Sequence, residues 1–186
     1  MKRSSIILAL SLLLLPAAAF SSDSSLSDDR EQVYSRASIY KTQGDYRKAI
    51  ENFSAPLAKG NNTDRINYQI ASCYASMKEF DSAQRFARTA ITRNPSFIEP
   101  YQLIYDICLT LKNYESAADI LEDLTEANPS LIQYHLMKGS LYYRNLKSYK
   151  MAEASLRRVL SLADEISVPA AYKEQSHLIL SEVALQ

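Results

Sequence analysis

Residues 64–97 read DRINYQIASCYASMKEFDSAQRFARTAITRNPSF, and their spacing decides the fold. Ile66, Ile70, Ala71, Tyr74 and Met77 recur at helical intervals and make one apolar stripe. Asp64 is a cap for that helix, and Lys78-Glu79 is a short polar turn. Phe80, Ala83, Phe86, Ala87, Ala90 and Ile91 then form a second stripe, closed by Asn94-Pro95. Proline lacks a donor and stops a helix from propagating. Two apolar stripes joined by a short turn predict an antiparallel helical hairpin.

The hairpin recurs along the chain. Tyr40, Tyr74, Cys108 and Tyr142 lie 34 residues apart, as do Ala37, Ala71, Tyr105 and Gly139. Tyr46, Phe80 and Tyr114 keep the same interval, and so do Ala49, Ala83 and Ala117, and Pro95 and Pro129. A fixed period of this length marks a unit that buries its apolar face against its neighbours. Stacked hairpins shape an extended groove rather than an enclosed catalytic pocket. Only three glycines occur, and no alternating run is bounded by turn residues, so strands have no place.

The hairpin resembles the tetratricopeptide repeat, whose pattern is W-x2-L-G-x2-Y, then A-x3-F, then P over 34 residues. At those positions residues 30–63 give Val33, Arg36, Ala37, Tyr40, Ala49, Phe53 and Asn61. Residues 64–97 give Asn67, Ile70, Ala71, Tyr74, Ala83, Ala87 and Pro95, and residues 98–131 give Tyr101, Ile104, Tyr105, Cys108, Ala117, Leu121 and Pro129. Residues 132–166 give His135, Lys138, Gly139 and Tyr142, then need one inserted residue near Lys147-Ser148 before Ala152 and Leu156. The family tryptophan is absent, and Tyr105 is large for a column of small residues, which predicts a splayed third junction. Pro56 predicts a kink or an end in the first unit's second helix, with Gly60 close behind.

The resemblance implies an all-α, right-handed solenoid of four hairpins. Residues 167–186 add an amphipathic helix, with Pro169 suited to its start. Ala171, His177, Leu178, Val183 and Leu185 are the face expected to cover the open end. An incomplete fifth repeat that completes itself on a partner is the alternative.

The N-terminus has its own logic. Lys2 and Arg3 precede the apolar run 6–15, then Pro16 and Ala17-Ala18-Ala19, the order of a secretory signal over residues 1–19. The run is about half the roughly 20 residues that span a bilayer, and no cysteine near Ala19 offers a site for acylation. An uncleaved anchor is the alternative. Cleavage would leave a chain free of the membrane in an exported compartment, the periplasm on this reading. Residues 20–29, rich in serine and aspartate, read as a disordered tether.

Charge argues against nucleic acid. The chain carries 21 Lys and Arg against 21 Asp and Glu, and loss of the signal removes Lys2 and Arg3 alone. Phosphate backbones need clustered cations. Cys73 and Cys108 read as small buried thiols, with a disulfide open in an oxidising compartment. His135 and His177 lack ligating companions one turn away and read as partly exposed helical residues. Ser38-Ile39-Tyr40-Lys41 fits S-x-x-K without the companion elements of those hydrolases. No phosphate-cradling or dinucleotide motif occurs. The expectation is a chain without cofactor, metal or catalytic role.

In the resembling family the first helix of each hairpin lines the concave face. Carried over column by column, that face holds Tyr34, Ser38 and Lys41; Arg65, Tyr68 and Ser72; Glu99, Gln102 and Asp106; and Gln133, Leu136, Tyr143 and Arg144. Tyr34, Tyr68 and Tyr143 are amphipathic anchors of the kind enriched at interfaces, or else packing residues at the helix junctions. Family members that clamp a C-terminal carboxylate use lysines and asparagines; Tyr34, Ser38, Gln69, Glu99 and Leu103 stand in those places here. The implied role is a scaffold or adaptor holding a protein or extended peptide. The alternative is a self-oligomerising structural module, with an enzyme carrying a grafted site as the remote third.

Overall fold

The computed structural model describes residues 22–58, 63–166 and 168–186. The expected signal, residues 1–19, lies outside them, as does Gly60. The helices are α1 (Ser22–Thr42), α2 (Tyr46–Ala58), α3 (Asp64–Ser76), α4 (Phe80–Arg93), α5 (Ile98–Thr110), α6 (Tyr114–Ala127), α7 (Ile132–Leu141), α8 (Tyr149–Glu165) and α9 (Ala170–Val183). No strand occurs among the described residues. Consecutive helices pack on one another along the whole chain, and α3 also touches α5. This is the side-by-side stacking that the period requires.

The alanine columns explain the stacking. Ala37, Ala49, Ala71, Ala83, Ala87 and Ala117 are all fully buried, so backbones approach without a side chain between them. Larger residues fill the space around them. Phe53, Ile70 and Cys73 centre the first core, Ile104, Leu121 and Leu124 the second, and Leu156, Val159 and Ile179 the third. Burial of a residue of this size is worth about 1.5–3 kcal/mol each. Cys73 and Cys108 are buried, free thiols.

The turn inside each hairpin is built alike. Gly44, Lys78, Lys112 and Lys147 all take the left-handed conformation, with φ of 81°, 61°, 55° and 54°. In the first three turns the next amide donates to the column of Tyr40, Tyr74 and Cys108 (Asp45 N, Glu79 N and Asn113 N, each 2.9 Å). In the fourth, Ser148 N reaches Tyr142 O at 3.0 Å, one residue further along. The extra residue is therefore absorbed before Lys147, as a π-helical turn over Tyr142–Leu146, rather than at Lys147-Ser148. A one-residue insertion is commonly accommodated this way.

Several local expectations shift. The cap of α3 is Thr63, whose hydroxyl accepts from Ile66 N (3.2 Å), one residue before Asp64. Asp64 instead accepts from the Asn94 side chain (2.8 Å), tying the start of α3 to the end of α4. Residues 22–29 are helical rather than a tether, because α1 starts at Ser22. A helix already nucleated by packing extends at little cost per residue, and acidic residues suit its N-terminal end. Pro56 sits in the last turn of α2, which closes at Ala58.

The final helix continues the packing order of the helices before it. α9 packs on α8 and also on α7, as α5 packs on α4 and α3. Its inner face is Ser176 and Ile179, with Tyr172, Leu180 and Val183 beside them. Of the residues expected to cover the end, Val183 packs inward, whereas Ala171, His177, Leu178 and Leu185 are exposed.

Candidate functional site

Small residues let helices close up, and a large one holds them apart. The eighth column carries Ala37 and Ala71, both buried, and Gly139, whose missing Cβ would stand 2.8 Å from the Leu156 side chain. At the third unit the column holds Tyr105, half-buried. α5 and α7 approach one another less closely than α3 and α5 do, and the same holds for α1 and α3. A cleft of about 610 Å³ is lined by Tyr105, Leu109, Tyr114, Gln133, Leu136, Met137, Ser140, Leu141, Arg144, Asn145, Tyr172 and Gln175. Tyr105 is one wall of this cleft.

Most of its residues come from three first helices, and Tyr114 comes from the start of α6. α5 supplies Tyr105 and Leu109, α7 supplies Gln133, Leu136, Met137, Ser140 and Leu141, and α9 supplies Tyr172 and Gln175. The π turn carries Arg144 and Asn145 to the same rim. Gln133, Leu136 and Arg144 from the expected groove set meet here. Tyr114, Asn145, Tyr172 and Gln175 were not in it. The register of α9 as a fifth first helix was the signal that could have found Tyr172 and Gln175.

The other groove residues are occupied in different ways. Tyr34 meets Phe53 edge-on (5.4 Å between centroids), and Tyr68 meets Phe97 likewise (5.3 Å). Each ring is thus partly a packing element. Ser38 donates to Tyr34 O within its own helix (2.9 Å). Lys41 Nζ donates to Gln69 Oε1 across to α3 (2.7 Å), and burial lowers its ammonium below the usual range. Arg65 and Glu99 are exposed, Ser72 half-buried. Gln102 Nε2 donates to the Tyr134 hydroxyl (2.7 Å), a strut between α5 and α7. The carboxyl of Asp106 reaches solvent, yet desolvation by its neighbours raises it above the ordinary carboxylate range.

Tyr143 is not brought to the cleft. Its ring lies 6.1 Å from Tyr149, against the core of α8 and α9, with Lys147 Nζ 5.9 Å from its centroid. The π turn rotates this residue away from the column position that the uniform period assigns to it.

A polar seam joins α6 to α7. Lys138 Nζ donates to Glu122 Oε2 (2.8 Å) and Thr125 Oγ1 (3.1 Å). His135 Nε2 lies 3.0 Å from Pro129 O. The histidine is buried, not partly exposed, and this burial holds its pKa below the ordinary value, with Lys138 and Arg158 acting in the same direction. His177 is exposed.

Stacked hairpins lining one open face define a helical-repeat interaction scaffold. The tetratricopeptide-repeat family model matches residues 33–55, 64–97 and 132–165, passing over the third unit where Tyr105 replaces a small residue. The chain belongs to the tetratricopeptide-repeat family. Similar solved structures include a tetratricopeptide repeat protein from Parabacteroides merdae, at 17% identity and TM-score 0.63 over 84% of this chain and 60% of that one. MamA from Desulfovibrio magneticus RS-1 is similar at 14% identity and TM-score 0.58, over 84% and 90%. A MamA RS-1 double mutant gives 19% and 0.57, over 76% and 79%. These likenesses concern the fold. No helix among the described residues is long and apolar enough to cross a membrane.

Proposed function

We propose that the concave face is a docking groove for a protein or extended peptide, and that the chain acts there as a non-catalytic adaptor. The cleft between α5, α7 and α9 carries this reading. Its volume of about 610 Å³ is within the roughly 300–1,000 Å³ of ligand sites, and aromatic, aliphatic and amide side chains line it. Arg65, Tyr68, Ser72 and Glu99 extend the same face toward the N-terminal units. The signal-like residues 1–19 support a periplasmic setting. Photo-crosslinkers placed at Ser72 and Ser140, with Arg85 on the second-helix side as control, test it. Adducts from the first two and none from Arg85 are expected; adducts from Arg85 alone would move binding to the convex face.

A second reading is self-association through α9. Leu178, on the outer face of that helix, and Leu185, just beyond its end, are 61% and 85% exposed. Sedimentation of wild type against Leu178→Lys/Leu185→Lys distinguishes it: assembly lost in the variant would favour a module whose open end is filled by another copy.

A further inference from the structure

We propose that the cleft takes one large apolar side chain of an extended peptide, and that Arg144 holds a carboxylate of the same peptide beside it. This rests on the groove reading above and names what the groove selects. Leu109, Leu136, Met137 and Leu141 give the cleft an apolar lining, so filling it removes hydrocarbon surface from water. Around it stand three carboxamides, Gln133, Asn145 and Gln175. No hydrogen bond of these side chains is found among the described residues. Each offers one donor group and one acceptor, which matches the alternating N–H and C=O of an extended backbone and not the headgroup of a lipid.

Charge then selects the neighbour. Arg144 is the one charged side chain lining the cleft, and it forms no ion pair among the described residues. Asp106, the groove acid on α5, does not line it. The planar guanidinium presents its donors in a fork that fits a carboxylate. The occupant is therefore acidic next to its apolar anchor.

A random linear peptide library displayed on phage, selected on the full chain, supplies the probes. Synthetic copies are then measured by fluorescence anisotropy. Selected peptides should pair a bulky apolar residue with an acid, and replacing that acid by its amide should weaken binding about ten-fold. On Arg144→Gln that difference should vanish, and Ser140→Trp, which fills the cleft, should abolish binding. Arg144 is exposed, so its variant carries the test should Ser140→Trp fail to fold. Comparing amidated with free peptide C-termini tells a side-chain carboxylate from a terminal one; either source sustains the proposal. Basic or purely polar selected sequences, or an acid preference that survives Arg144→Gln, would overturn it. Binding that resists Ser140→Trp but is lost on Tyr68→Ala would overturn the cleft and keep the groove. Failure to select any peptide would remove both.

Discussion

Equivalent positions in the repeat carry different costs, and these can be measured one side chain at a time. Gly139 lets α7 lie against Leu156, which is fully buried and would have to shift to admit a Cβ. Gly139→Ala should destabilise by about 1–3 kcal/mol, the usual cost of overpacking, read as a lower denaturation midpoint. Lys78 and Lys112 occupy left-handed turns where the first unit uses Gly44. A side chain in that conformation costs about 1–2 kcal/mol, and glycine loses more freedom on folding. Each Lys→Gly change should therefore stabilise by up to about 1 kcal/mol, visible in the same titration. Asn94 and Asn128 share a column as well. The Asn94 amide donates to Asp64, whose carboxyl it holds below the ordinary range, but Ile98 follows in that place and the Asn128 amide finds no acceptor among the described residues. Asn94→Ala should cost about 1–2 kcal/mol, whereas Asn128→Ala should be close to neutral.

At the scale of elements, the α6–α7 seam is sensitive to acid. His135 is buried among Lys138 and Arg158, and the nearby carboxylate of Glu122 is already bound by Lys138. The unfolded chain takes up a proton near pH 6.5, while the folded histidine resists to lower pH. This contribution to stability is complete above that value and is lost as pH falls below it. Denaturation midpoints measured on either side should differ, and His135→Gln, which keeps a donor for Pro129 O, should flatten the difference. The period and the polar turns made the hairpins readable from sequence. The burial of His135 was not, because it depends on α6 and α8 lying over α7.

Across the whole molecule, the cores form three successive clusters rather than one. Stability in such a stack is approximately a sum of unit and neighbour terms. At the junction beside Tyr105, α5 and α7 share the middle core and are tied by the Gln102–Tyr134 strut, with the Lys138 seam joining α6 to α7. Hydrogen exchange should accordingly find α7–α9 opening as a unit before the middle repeats. Ile179→Ala, at a fully buried contact of α9, should cost about 2–5 kcal/mol and speed exchange in α8 and α9 more than in α3 and α4. Equal acceleration everywhere would mean that the stack opens as one body.

The residues by themselves determined the repeat, its length and the hairpin unit, because each of these is local chemistry repeated in register. Tertiary structure alone decided where the inserted residue went, that Tyr143 turned toward α8 while Arg144 stayed on the cleft, and that α9 lined that cleft with Tyr172 and Gln175. A period fixes which face of a helix is apolar. It does not fix how a break in the period rotates the residues beyond it, since that rotation is set by the neighbours against which they pack.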